Sequence, residues 1–250
     1  LVDIDINDRP LFHFVGKDGV THTVWASHHQ AKYVEAFRNV PCAYIADGHH
    51  RSASAARAGV ERRAANPNHT GHEEYNWFLA VLFPASQLRI MPYNRVVKDL
   101  NGKTADQILE ELKKIGSVAP SSNPQPTKPG HICVYLKNQW HELTFDPNTI
   151  NHNDPIGSLD VSLLQERVLT PILGIGDPRT DKRIDFVGGI RGTAELEKRV
   201  NSGEMAIAFS MYPTTVEQLM SVSDAGEIMP PKSTWFEPKL RSGLVVHSLD

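Results

Sequence analysis

The chain has 250 residues, 40% hydrophobic and 22% charged, which supports one sizeable core or two modest ones and excludes disorder, collagen and coiled coil. With 26 Lys and Arg against 29 Asp and Glu the formal charge is −3, so no general attraction to nucleic acid or to an anionic membrane is expected, and any anion binding must be local. Cys42 and Cys133 lie far apart without Cys-x-x-Cys spacing; this argues against a disulfide framework or zinc knuckle, reads as buried filling and suits a reducing cytoplasm.

In chain order, Leu11 to Val15 and Thr21 to Trp25 flank Gly16-Lys17-Asp18-Gly19, and the Asp-Gly pair predicts a hairpin. Ser27 is placed to cap a helix running to about Arg38. Cys42 to Ala46 reads as a short strand, and the alanine-rich Ser52 to Ala65 as a helix. Trp77 to Phe83 reads as a buried strand because its apolar run is continuous. The apolar stretch that contains it ends at Ala85, too short to span a bilayer, and Leu1 to Asp5 lacks the basic flank of a signal peptide. A soluble cytoplasmic protein without a membrane partner is expected, and the start at Leu suggests a missing upstream part.

Thr104 and Gln107 form a capping box before a helix whose apolar stripe is Ile108, Leu112 and Ile115. Val118 to Gly130, with four prolines, is the best candidate for a boundary between a portion at 1–117 and one at 131–250. Alternation in Ile132, Val134 and Leu136, and in Leu143 and Phe145, predicts a second hairpin. Leu159, Leu163 and Val168 fall on a helix ending before Pro171. Ile184 to Val187 is a strand entering Gly188-Gly189-Ile190-Arg191-Gly192, after which Thr193 caps a helix. Met205, Ile207 and Phe209 mark another strand, Thr214 or Thr215 caps a helix, and Leu244 to His247 reads as a last strand. Interleaved helices and hairpins point to an α+β fold with mixed sheets.

Chemistry concentrates in Asp47-Gly48-His49-His50-Arg51, between the short strand and the alanine-rich helix. A helix start presents unpaired N–H groups, and Gly48 lets a phosphate approach the backbone. Arg51 offers a planar fork of donors, His49 and His50 exchange protons near neutral pH, and Asp47 accepts a proton or holds a divalent cation. The bland alternative is that Asp47 caps the helix and the histidines are solvated. Gly188, Gly189 and Arg191 repeat the strand, glycine turn and arginine logic, or form a plain tight turn. In the proline-stiffened segment Met229 to Lys239, Lys232, Ser233 and Thr234 are candidate phosphate ligands, unless the segment is a strap that packs Trp235 and Phe236 on the core. Arg95 reaches a phosphate or pairs with a carboxylate. His69, His72, Glu73 and Glu74 lack fixed spacing, and no metal site is expected there.

Tyr44 to Arg51, Met91-Pro92-Tyr93-Asn94-Arg95 and the tail from Ser223-Asp224-Ala225-Gly226 to Lys239 resemble the bacterial domain-of-unknown-function 1015 family over nearly the whole chain. The first motif is also similar to the phosphate-binding signature of the ParB and sulfiredoxin superfamily, in which free serine kinases carry a similar Asp-Gly-His. The resemblance implies a ParB/sulfiredoxin-like phosphate-binding portion at 1–117 with a C-terminal α+β portion packed against it. It also implies serine or phosphoserine as substrate, and a C-terminal fragment in which a catalytic carboxylate comparable to that of the serine kinases is missing.

The expected activity is therefore phosphoryl transfer or removal on a nucleotide or phosphorylated small molecule. Asp47, His49 or His50 would handle the proton, with Gly48, Arg51 and the other named groups on the phosphates. ATP or ADP with Mg²⁺ is the expected cofactor. The alternative is a non-catalytic nucleotide-sensing module, which needs the same cradle without an acid or base. A DNA-partitioning role is disfavoured by the acidic balance and the lack of an evident helix-turn-helix.

Overall fold

A computed structural model describes residues 1–249 and divides into two compact units, Leu1–Ile45 and a larger one beginning at Ala46. In the smaller unit, helix α1 (Val2–Asp5) precedes strands β1 (Phe12–Val15) and β2 (Thr21–Val24), which pair antiparallel, and helix α2 (Gln30–Phe37). Gly19, at φ 78°, supplies the turn that Asp18-Gly19 predicts. The polar hub of this unit is Asp5: one oxygen lies 2.7 Å from His29 Nδ1 and the other accepts from Tyr33 Oη at 2.8 Å. Ser27 accepts from the His29 amide instead of capping the helix interior, so α2 starts later than expected. Cys42 to Ala46 forms no strand, and Cys42 is exposed rather than buried, because this stretch has no neighbouring strand to pair with among the described residues.

The larger unit opens with α3 (His49–Ala65). Trp77 to Phe83 is not the buried strand its apolar run predicts: the segment is irregular and Trp77, Phe78, Leu79, Val81 and Leu82 are exposed. Strands β3 (Arg89–Met91) and β4 (Tyr93–Val97) follow, then α4 (Ala105–Lys113), whose start carries the complete Thr104/Gln107 capping box. Next come β5 (Gly116–Pro120), β6 (His131–Leu136) and β7 (Gln139–Phe145). Lys137 and Asn138, at φ 51° and 59°, close the tight β6–β7 turn in the left-handed region that Asn tolerates. Helix α5 (Asp160–Leu164) continues through a wider turn, Gln165–Leu169. Then come β8 (Ile184–Gly188), α6 (Ala194–Asn201), β9 (Ile207–Met211), α7 (Val216–Asp224) and β10 (Trp235–Glu237). Leu244 to His247 forms no strand.

Six strands make one antiparallel sheet in the order β5-β7-β6-β9-β4-β8, and β10 pairs with β3 in a separate two-stranded sheet. Alternation decides which side chains lie on which face. Ile132, Val134, Leu136, Ile207 and Phe209 join α4 and α5 residues Ile108, Leu112, Leu163 and Leu164 in the main core, while Cys133, Tyr135, Trp140 and Ala208 meet Leu196 of α6 on the other face. Trp140 Nε1 donates to Glu197 and Tyr135 Oη to Asn201, which fixes α6 there, and burial pushes the Cys133 thiol up to about 12. The result is the expected α+β class. The expected boundary at 118–130 does not divide it, because β4 and β5 on one side share a sheet with β6 to β9 on the other. The four prolines there stiffen a connection within a single sheet.

Candidate functional site

Helix α3 begins at Gly48, which sits at φ 88° as N-cap, a backbone state an L side chain rarely adopts. No side chain caps this 17-residue helix, so its first amides, those of His49, His50 and Arg51, point outward without an intrahelical partner. The Asp47 carboxylate instead accepts from the Gly48 amide at 2.8 Å and does not cap the helix, while His49 and His50 are exposed, as the bland reading expects. Arg51 folds back over Gly48; a Cβ there would stand 3.0 Å from its guanidinium. Asp47, His49, His50 and Arg51 are all exposed.

The second Asp47 oxygen accepts from Lys239 Nζ at 2.8 Å, joining the proline-rich tail to the start of α3. The Lys239 ammonium, the Gly48 amide and the nearby Arg51 charge hold the Asp47 carboxyl below the usual carboxylate range, although partial burial opposes them. Lys239 also lies 5.4 Å from the centroid of the Trp235 ring, Trp235 stands 5.4 Å from Tyr93, and Lys232 Nζ lies 5.5 Å from that same Tyr93 ring. An unbroken series of contacts thus runs from Asp47 through Lys239, Trp235 and Tyr93 to Lys232.

Several candidate ligands have other employment. Arg95 is 4% exposed and among the described residues pairs with no carboxylate: it donates to the carbonyls of Tyr93 at 2.6 Å and Lys232 at 3.3 Å and lies over the Phe186 ring, so it anchors the tail from beneath. Burial pulls its guanidinium down to about 10. A Cβ on Gly188 would stand 2.5 Å from Trp235 and one on Gly189 2.6 Å from Pro92, so these glycines serve close packing and their faces are covered. Arg191, just beyond them, is exposed. Ser233 is buried, its hydroxyl donating to Pro230 O and its carbonyl accepting from Thr214. Thr234 is half-buried beside it. Lys232, held at φ 56°, remains exposed.

By sequence, Lys239 and Trp235 stand out only as parts of the stiff tail and Tyr93 only as part of the Met91–Arg95 motif, and none of the three was assigned to the site with Asp47. The signal existed: Trp235-Phe236-Glu237 alternates, and a short strand could be read after the Pro-Pro pair, with Phe236 buried and Trp235 half-buried against Gly188. Glu73 accepts from the amides of Thr70 and Gly71 and pairs with His69, which explains that acidic and histidine-rich loop as a turn. No helix among the described residues is long and apolar enough to cross a membrane.

A conserved hypothetical protein from Pyrococcus furiosus is similar to the chain at 14% identity and a TM-score of 0.40, over 82% of this chain and 81% of that one. A free serine kinase in complex with AMP is similar at 12% identity and a TM-score of 0.40, over 84% of this chain and 80% of that one. No curated protein matches. A family model described as a protein of unknown function, DUF1015, matches residues 2–162, more than half of the sequence, and the chain belongs to that family.

Proposed function

We propose that the start of α3 binds the phosphate groups of a nucleotide or phosphorylated small molecule and that the site supports phosphoryl transfer. One observation carries this reading: a long helix whose first amides no side chain caps opens with a left-handed glycine, under a folded-back arginine and beside a lysine delivered by the tail. Outward amides, a positive helix end and two exposed cations are what a polyanion needs, and the exposed arginine can turn to meet it. Trp235 and Tyr93 join the same patch, with Lys239 and Lys232 lying over their rings.

In transfer, a substrate hydroxyl oxygen attacks the terminal phosphorus, the bond to the bridging oxygen of the leaving group breaks, and the hydroxyl proton passes to His49 or His50. Arg51 and Lys239 take up the charge on the phosphate oxygens. Asp47 is suited to orienting Lys239 more than to receiving the proton, since its carboxyl is held ionised. Mg²⁺ accompanying a nucleotide would neutralise phosphate charge, and the chain's contribution would be Asp47 alone; among the described residues no group of three His, Cys, Asp or Glu side chains converges. Serine or phosphoserine is the substrate class that family resemblance suggests.

The ionised, already paired Asp47 also favours a second reading, a nucleotide-sensing module that binds without turnover. Titration with ATP, ADP, pyrophosphate and phosphoserine, followed by phosphate-transfer assays with serine, separates the two: binding with transfer supports the enzyme, binding without it the sensor. No binding by any of the four removes both.

A further inference from the structure

Away from α3, the larger unit holds a cavity of about 750 Å³ between the β6–β7 region, the loop at 147–158 and helix α7. That volume suits a small organic ligand. Asp160, in its wall, is 7% exposed. One of its oxygens accepts from the Gly130 amide at 2.8 Å, and among the described residues no ion pair is seen to it. Among the described residues no fully enclosed side-chain oxygen lacks a hydrogen bond, so the second Asp160 oxygen is reached by solvent, and Asp160 is part of the cavity wall. Glu217 adds a second carboxylate to the lining, where Lys128 is the one Lys or Arg, beside His131 and His152. Phe145 and Ile150 provide apolar wall, and Ser221 and Gln218 of α7 stand at its polar side.

We propose that this cavity binds a small organic ammonium ion, the ammonium N–H groups donating to the free Asp160 oxygen and the carbon skeleton packing on Phe145 and Ile150. A buried carboxylate without a counter-ion is costly, and natural cores seldom keep one unless a partner arrives. Burial raises the Asp160 carboxyl to about 6, as expected of a group whose cation is supplied by a ligand. No residue of the α3 site lines this cavity, so the two proposals stand separately.

The test is calorimetric titration of the whole chain with ethanolamine, ethylammonium and putrescine, with acetate as the anionic control. At least one amine should bind saturably at neutral pH and acetate should not. Asp160→Asn keeps an acceptor for the Gly130 amide while removing the charge, so it should keep or raise Tm and weaken amine binding at least tenfold. Ser221→Trp, at an exposed position of α7, should leave Tm unchanged and block the cavity. Absence of amine binding, a preference for acetate, or unchanged affinity in either variant overturns the proposal. A clear fall in Tm for Asp160→Asn also counts against it, because Asp160 would then be a structural carboxylate.

Discussion

Arg95→Met removes a buried charge while keeping much of the side chain's length. Burial draws the guanidinium from 12.5 to about 10, so keeping it charged at pH 7 costs roughly 3 kcal/mol. Against this stand two charge-assisted hydrogen bonds to the carbonyls of Tyr93 and Lys232, each contributing about 1.5 kcal/mol, and a contact with Phe186 of about 1 kcal/mol. The sum predicts a small net destabilisation, on the order of 1 kcal/mol, in urea unfolding followed by tryptophan fluorescence. The larger effect should be local. With the Lys232 carbonyl released, the tail loses its hold beneath β4, and trypsin should cut after exposed Lys232 and Lys239 several times faster. Nucleotide affinity should fall less than in a variant lacking Arg51, since buried Arg95 holds the tail at Lys232 and does not meet the ligand. A loss of more than 3 kcal/mol, or unaltered tail cleavage, would refute this reasoning.

Thr215→Ala removes one half of the α7 capping box and should cost about 1 kcal/mol in chemical denaturation, with α7 amides showing the first loss of exchange protection. Lys239→Met removes the leading cause of the depressed Asp47 carboxyl, so a carboxyl-carbon NMR titration should find Asp47 closer to the ordinary value of 3.8. Both partners are half-exposed, and the stability lost should stay below about 1 kcal/mol. Asp5 is held at about 2, below its unfolded value of 3.8, so its contribution is present above that value and disappears as the pH falls toward 2. Asp5→Asn should abolish this acid dependence in His29 and Tyr33 NMR signals and weaken the smaller unit at neutral pH.

Where two local signals agreed, the sequence was sufficient. The β6–β7 hairpin combines alternating apolar residues with Asn138 at the turn, and Thr104 and Gln107 form the capping box read from sequence, whereas the choice between Thr214 and Thr215 was settled for Thr215 only by the structure. Trp77 to Phe83 misled because a continuous apolar run states only that cover is wanted, and no strand pairs with it among the described residues. The prolines at 118–130 resembled a linker because strand pairing across a stiff connection leaves no local trace. At the site, the turn into a helix at Asp47 to Arg51 was readable from sequence, whereas the packing of Arg95, Gly188 and Ser233 depended on neighbours distant in the chain. The Lys239 contact with Asp47 spans 192 positions, beyond any local pattern.

Calorimetric titration of the wild-type chain and of Arg51→Ala with ATP, ADP and pyrophosphate tests phosphate binding at α3 most directly. A charge-assisted hydrogen bond contributes about 1.5 to 3 kcal/mol, so the variant should bind more than tenfold more weakly while its Tm stays within a degree or two of wild type. Equal affinities in the two proteins, or no saturable binding by the wild type, would contradict the assignment.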